Sequence, residues 1–331
     1  MRVVHSIHWL LLGAVTAGPA HAMQRQTPRA YDLDGIPYVR LDHVAAMEHM
    51  VLDADGLVLS SSRHVIRLAA GGPRGGYDGE VVWLHEPVRR VRRRWGVAKV
   101  DVDTLLAPLL RPHAYLKALE VRTIVLDPGH GGKDRGAEGP GHSVEKEVTL
   151  DICRRVRNLL IEAGRSVHLT RDDDRFIALA ERSRIARGVG ADLFISVHFN
   201  SSENTNAVGI EVYALTAAKF HSTSDNGQGK PLLETYSGNH FDPSNAYLAK
   251  QVHHHLLTST RAMDRGLRRA RFAVLREAPC PATLLECGFL SNSGEEDRIL
   301  SPSYRQQLAE GITAGIREYM RAVNLARAGA E

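Results

Sequence analysis

Four residues far apart in the chain, His130, Glu145, His198 and Glu286, are of the types that hold a divalent cation and move a proton. His130 lies among glycines in Asp127-Pro128-Gly129-His130-Gly131-Gly132, directly after the apolar run Thr123-Ile124-Val125-Leu126. His198 ends the run Leu193 to Val197, Glu286 ends Ala282 to Leu285, and Glu145 opens Glu145-Lys146-Glu147. Neutral imidazole and carboxylate suit zinc, and three protein ligands leave a fourth position for water. Binding lowers that water's pKa from about 15.7 to about 7, roughly 12 kcal/mol towards hydroxide, which a free glutamate of pKa near 4.3 does not supply. The pattern assigns one Zn2+ to His130, Glu145 and His198, and makes Glu286 the general base that passes a proton to the leaving amine. Singly, each has a plainer reading. A histidine at a strand end is more often structural, Glu145 suits the dipole at a helix start, and Glu286 could pair with an arginine. The conjunction with Gly129, Gly131, Gly132, Asn200 and Gly288 is what separates the set from chance. The glycines are not a phosphate loop, because Lys133-Asp134 lacks the Lys-Ser/Thr ending.

These residues need elements to bring them together. From Arg122 onward, apolar runs at 123–127, 166–170, 193–199, 209–215, 272–276 and 282–287 alternate with helical patterns at about 145–163, 176–189, 244–262 and 303–323. Alternation of this kind predicts an α/β domain over 122–323, a mixed sheet of about six strands flanked by helices on both faces. In such sheets ligands bind outside the carboxyl ends of the strands, where His130, His198 and Glu286 all fall. Ahead of it, 31–118 reads as a small α+β N-terminal domain with strands near 36–39, 57–59, 65–68 and 81–84, a helix near 42–50 and a hairpin turn at Asp78-Gly79. Pro108 and Pro112 mark its end.

A chain of 331 residues with 43% hydrophobic and 24% charged residues is long enough for two domains and is neither disordered nor fibrous in composition. Residues 1–22 read as a signal peptide: Arg2, an apolar stretch from about Trp9 to Ala17, and the small-x-small site Ala20-His21-Ala22. That stretch is short of the roughly 20 residues that span a bilayer. The expected location is outside the cytoplasm, in the periplasm or cell envelope. Three cysteines, Cys153, Cys280 and Cys287, leave an odd thiol and predict no disulfide framework. Net charge is only +4, yet Arg89, Arg90, Arg92, Arg93 and Arg94 crowd one stretch. A solvated edge strand is the plain reading, and contact with an anionic envelope polymer the sharper one. No aromatic residue is interleaved to stack bases, which argues against nucleic acid.

Five blocks carry a resemblance: Ile124 to Thr149, Val167 to Asp174, Asp192 to Asn200, Gly209 to Tyr213 and Ala282 to Asn292. Together they are similar to the zinc-dependent N-acetylmuramoyl-L-alanine amidases of the AmiC-like, amidase-3 type, in order from about 122 to 323. The resemblance implies zinc on His130, Glu145 and His198 and catalysis by Glu286. It also implies peptidoglycan as substrate, cut at the amide between the lactyl group of N-acetylmuramic acid and the L-alanine of the stem peptide, with a protein activator as a partner to test for. The stretch Gly76 to Leu84 resembles the N-terminal domain of copper amine oxidases. Two other function classes stand beside this one: a wall-binding or scaffolding protein with little catalysis, and a zinc carboxypeptidase-like peptidase.

Four features are read more plainly. Residues 216–243 are taken as a substrate-lining loop over an open site rather than a blocking helix. His253-His254-His255 is a half-exposed helix face, not a metal tract. Arg182 is either a substrate contact or a salt bridge tying helix to sheet. Cys287, in a predicted strand with no base assigned to it, is not a nucleophile.

Overall fold

Strand-forming runs punctuated by turn residues dominate the first third of the chain, and longer helices take over after it. A computed structural model describes residues 29–116, 120–223 and 233–329. The expected signal peptide, 1–22, lies outside the described residues. The N-terminal part comprises β1 (Ala30–Leu33), β2 (Ile36–Arg40), α1 (Leu41–Met47), β3 (Val51–Leu52), β4 (Val58–Ser60), β5 (Val65–Leu68), β6 (Arg74–Tyr77), β7 (Glu80–Trp83), β8 (Arg89–Val91) and β9 (Arg94–Ala98). A broken helical run follows: α2 (Lys99–Asp101), a π-helical turn (Val102–Leu106), α3 (Ala107–Leu110) and α4 (Pro112–Tyr115). The remainder alternates through β10 (Thr123–Pro128), α5 (Glu145–Glu162), β11 (Ser166–Leu169), α6 (Leu179–Gly188), β12 (Leu193–Asn200), β13 (Ile210–Leu215), α7 (Asp242–Thr260), β14 (Asp264–Ala270), α8 (Ala273–Arg276), β15 (Ala282–Phe289), α9 (Ser293–Leu300) and α10 (Pro302–Ala328).

Six of these strands form the expected mixed sheet, in the order β11-β10-β12-β15-β13-β14. β11, β10, β12 and β15 are mutually parallel, whereas β13 runs antiparallel to β15 and carries β14 parallel to itself. Alternate side chains divide the core. Ile124, Leu126, Ile195, Val197 and Leu285 join the cluster that includes α5, α7 and α10, while Val125, Phe194, Tyr213 and Leu284 join Ala186 of α6 and Val274 and Leu275 of α8. Helices therefore cover both faces, each fully buried aliphatic contributing about 1.5–3 kcal/mol.

Three expectations are corrected. The run at 272–276 is mostly the short helix α8, and the strand lies before it in Asp-Arg-Gly-Leu-Arg-Arg-Ala. Three arginines hide that strand from a hydrophobicity reading, since Leu267 alone supplies a large apolar side chain to the core. Next, the sheet does not stop at six strands. Leu267 of β14 pairs with Val82 of β7, and β7-β6-β5-β4-β3 extend it to eleven, across the boundary expected between 118 and 122. The Val81 N–H donates to Asp264 Oδ2 at 2.7 Å and the Trp83 indole to the Arg265 carbonyl at 3.2 Å, which fixes the seam. Finally, His253 is fully buried, because α7 is packed between the sheet and α10. Its Nε2 lies 3.1 Å from Asp264 Oδ1, and the half-exposed His254 meets Glu80 across the seam.

β1, β2, β9 and β8 form a separate antiparallel sheet. The arginine stretch is its β8–β9 hairpin, with β8 at the edge. All three cysteines are free and buried.

Candidate metal centre and cleft

β10 and β12 are neighbours in the sheet, so the chain that leaves each at its carboxyl end delivers His130 and His198 to one place. Two glycines make room there. A Cβ on Gly129 would lie 2.3 Å from His198 Cε1, and one on Gly136 would lie 2.5 Å from Glu145 Oε2, so both positions exclude any larger residue. Buried arginines hold the connecting loop in shape. Arg171 donates to the Pro128 and Gly129 carbonyls, and Arg182 bridges Asp127 Oδ1 at 2.8 Å and the His130 carbonyl at 2.8 Å. Of the two roles open to Arg182, the structure shows the tie from helix to sheet.

Glu145, at the first position of α5, joins the two imidazoles. Its Oε1 lies 2.9 Å from His198 Nδ1 and accepts the Phe199 N–H, and its Oε2 lies 3.1 Å from His130 Nε2 and accepts the Ala137 N–H. Asp134 takes the other His130 nitrogen, Nδ1, at 2.9 Å, and so orients the ring with Nε2 inward. One ligand atom from each of His130, Glu145 and His198 lies within 4.8 Å of the others. Burial opposes the charge on Glu145, but the two imidazoles outweigh it and draw its pKa down to about 2. Burial likewise disfavours the His130 imidazolium, and the Glu145 and Asp134 carboxylates outweigh it, raising that pKa. Two imidazoles on one inward-facing carboxylate are a donor set that fits a divalent cation, and the geometry fits a metal site.

Glu286 stands beside this triad. Its Cα pairs with His198 on one neighbouring strand and with Glu211 on the other, and the register shifts just past His198. Its Oε2 is shielded from solvent with no hydrogen-bond partner among the described residues. Burial, then Glu145, then Glu211 push its pKa well above the usual carboxylate range. A shielded carboxylate oxygen without a partner is uncommon in a folded protein.

Residues 124–318 match the N-acetylmuramoyl-L-alanine amidase family. The chain belongs to that family. Over 224 residues it is 35% identical to the N-acetylmuramoyl-L-alanine amidase AmiC of Neisseria meningitidis serogroup B, an alignment covering 62% of this chain and 54% of that protein. The chain thus spans about half the length of the first curated relatives it matches, AmiC of Escherichia coli included. Among solved structures, N-acetylmuramoyl-L-alanine amidase AmiC2 of Nostoc punctiforme superposes with a TM-score of 0.51 at 36% identity, over 60% of this chain and 97% of that one. The CwlD amidase of Clostridioides difficile, solved in complex with the GerS lipoprotein, gives 0.51 at 26% identity, over 60% and 98%.

In this amidase-family chain the structure brings together all four residues singled out from the sequence. It adds one that sequence reasoning missed. Glu211 is buried, accepts from Tyr213 Oη at 2.5 Å and pairs with Arg265 Nε at 2.6 Å. The available signal was a lone acid within Ile210–Leu215, a strand whose six residues are all buried. One expectation is not met by the described residues of 216–243, and 224–232 lie outside them. Because β13 runs antiparallel to β15, its end at Leu215 lies at the far end of the sheet from Glu286. The described parts of 216–243 follow it there: Ala217 donates to His85, and Asn239 binds the Thr216 carbonyl. They do not line the cleft. Cys287 points into the opposite core, with the side chains of α5, α7 and α10.

Proposed function

We propose that this chain is a zinc-dependent peptidoglycan amidase that hydrolyses the bond between the lactyl group of N-acetylmuramic acid and the L-alanine of the stem peptide. The observation that carries the reading is the convergence of His130, Glu145 and His198 beside Glu286, whose shielded Oε2 has no hydrogen-bond partner among the described residues, at the carboxyl end of the sheet. When bound, zinc supplies Lewis acidity towards water and the scissile carbonyl. The protein's own groups do the rest. His130, Glu145 and His198 hold the cation, and Asp134 fixes the His130 tautomer. Glu286, with its raised affinity for a proton, takes one from the attacking water and returns it to the alanine nitrogen as the amide breaks. Purified sacculi should release free stem peptides with the zinc-loaded protein and none after chelation. No release in either case would favour a wall-binding role, and cleavage confined to peptide bonds would favour a carboxypeptidase.

Location and partners belong to the same proposal. Residues 1–22 are read as an export signal delivering 31–118 and 122–323 to the periplasm or envelope, and no helix among the described residues is long and apolar enough to cross a membrane. The CwlD–GerS complex supports testing for a protein activator. Contact with an anionic polymer stays a proposal for the β8–β9 hairpin, where Arg90, Arg92, Arg93 and Arg94 are exposed and have no carboxylate partner among the described residues.

A further inference from the structure

We propose that the amidase cleft continues from Glu286 across the sheet onto the N-terminal part, and that Arg268, held against Trp83, is a specificity residue for an acidic peptide arm of the substrate. The inference rests on the amidase reading above. Residues paired across neighbouring strands share a face of the sheet. His198 pairs with Glu286, Glu286 with Glu211, Tyr213 with Arg268, and Leu267 with Val82. Stepping by alternation, His198, Glu286, Glu211, Arg268 and Trp83 lie along one face over five adjacent strands. Trp83 comes from the N-terminal part of the chain, so the seam strand β7 borders the cleft.

Charge along this strip is unbalanced. Glu211 faces two guanidiniums, with Arg265 Nε at 2.6 Å and Arg268 Nε at 3.8 Å, beyond a hydrogen bond. Arg265 is thereby satisfied. Arg268 has its guanidinium carbon 4.8 Å from the Trp83 ring centroid and forms no hydrogen bond to a carboxylate among the described residues. Its side chain is 18% exposed, and that of Arg265 is 31% exposed. A guanidinium resting on an indole face keeps N–H groups at its edge for a carboxylate, the fork geometry that an ammonium lacks. The acidic arm would lie along the strip with the scissile amide at Glu286.

The test uses the full-length, zinc-loaded protein and two soluble N-acetylmuramoyl peptides of one sequence, one with free carboxylates and one with them amidated. Arg268→Gln should raise KM for the acidic peptide about ten-fold, equivalent to about 1.4 kcal/mol, with kcat close to wild type and KM for the amidated peptide unchanged. Trp83→Leu should move the same KM in the same direction by less, and Arg268→Lys should recover part of the loss. Equal shifts for both peptides, or no shift, would overturn the assignment of Arg268 while leaving the amidase reading intact. Hydrolysis of neither peptide by the wild type would overturn the amidase reading and this inference with it.

Discussion

The two ends of the central sheet both bury ionisable groups, and only one of them is arranged for chemistry. At the carboxyl end, Glu145, His130 and His198 turn ligand atoms towards one another and Glu286 keeps an unpartnered oxygen. At the far end, His85 is buried with both ring nitrogens engaged, Nδ1 by Asp101 Oδ1 at 2.8 Å and Nε2 by the Ala217 N–H at 3.2 Å. Asp242 is held there by Asn239, and burial raises its pKa to about 7. Perturbed groups thus occur at both ends, and what distinguishes the site is the convergence of three ligand atoms within 4.8 Å beside an unpartnered carboxylate oxygen.

Substitutions should separate the ends sharply. Glu286→Gln should lower turnover on the order of 10²–10⁴-fold, the span of general acid–base catalysis, while bound zinc and melting temperature stay near wild type. Zinc lost from that variant would reassign Glu286 as a ligand. His85→Ala should do the reverse, costing about 1–3 kcal/mol of stability by stripping partners from Asp101 and the Ala217 N–H. Denaturant unfolding reads the cost, and activity per folded molecule should be unchanged; a steep loss of activity would make the far end functional.

Asp242 gives the smallest and most specific effect. Its folded pKa, about 7, lies above the ordinary 3.8, so the folded state favours the protonated acid. The stability it contributes is full below pH 3.8 and is lost as pH rises towards about 7. Asp242→Asn should flatten that fall, and urea unfolding at a series of pH values between 4 and 8 checks it. An unchanged slope would remove Asp242 as its cause.

Much of this was legible in the sequence because three of the four site residues close apolar runs, and a strand's carboxyl end in an α/β sheet has a known place. His130, His198 and Glu286 were readable for that reason. Glu211 was not, since an acid in a strand ordinarily faces solvent, and only the pairing of β13 between β15 and β14 buries it. β14 escaped notice because three of its seven residues are arginines and Leu267 is its one large apolar side chain in the core. The joining of β14 to β7, and with it the burial of His253, depends on contacts between residues nearly two hundred positions apart, as in the Val81–Asp264 hydrogen bond, which no local pattern encodes.

The central claim is that His130, Glu145 and His198 hold one cation. Metal analysis of the purified chain beside its Glu145→Gln variant tests it most directly. The account predicts about one zinc per wild-type molecule and loss of that zinc from a folded Glu145→Gln protein, because the amide gives up the charged ligand while its oxygen still accepts one of the two N–H groups, of Phe199 and Ala137, that the carboxylate holds. Zinc retained in full by the variant, or absent from wild type after incubation with excess metal, would contradict it.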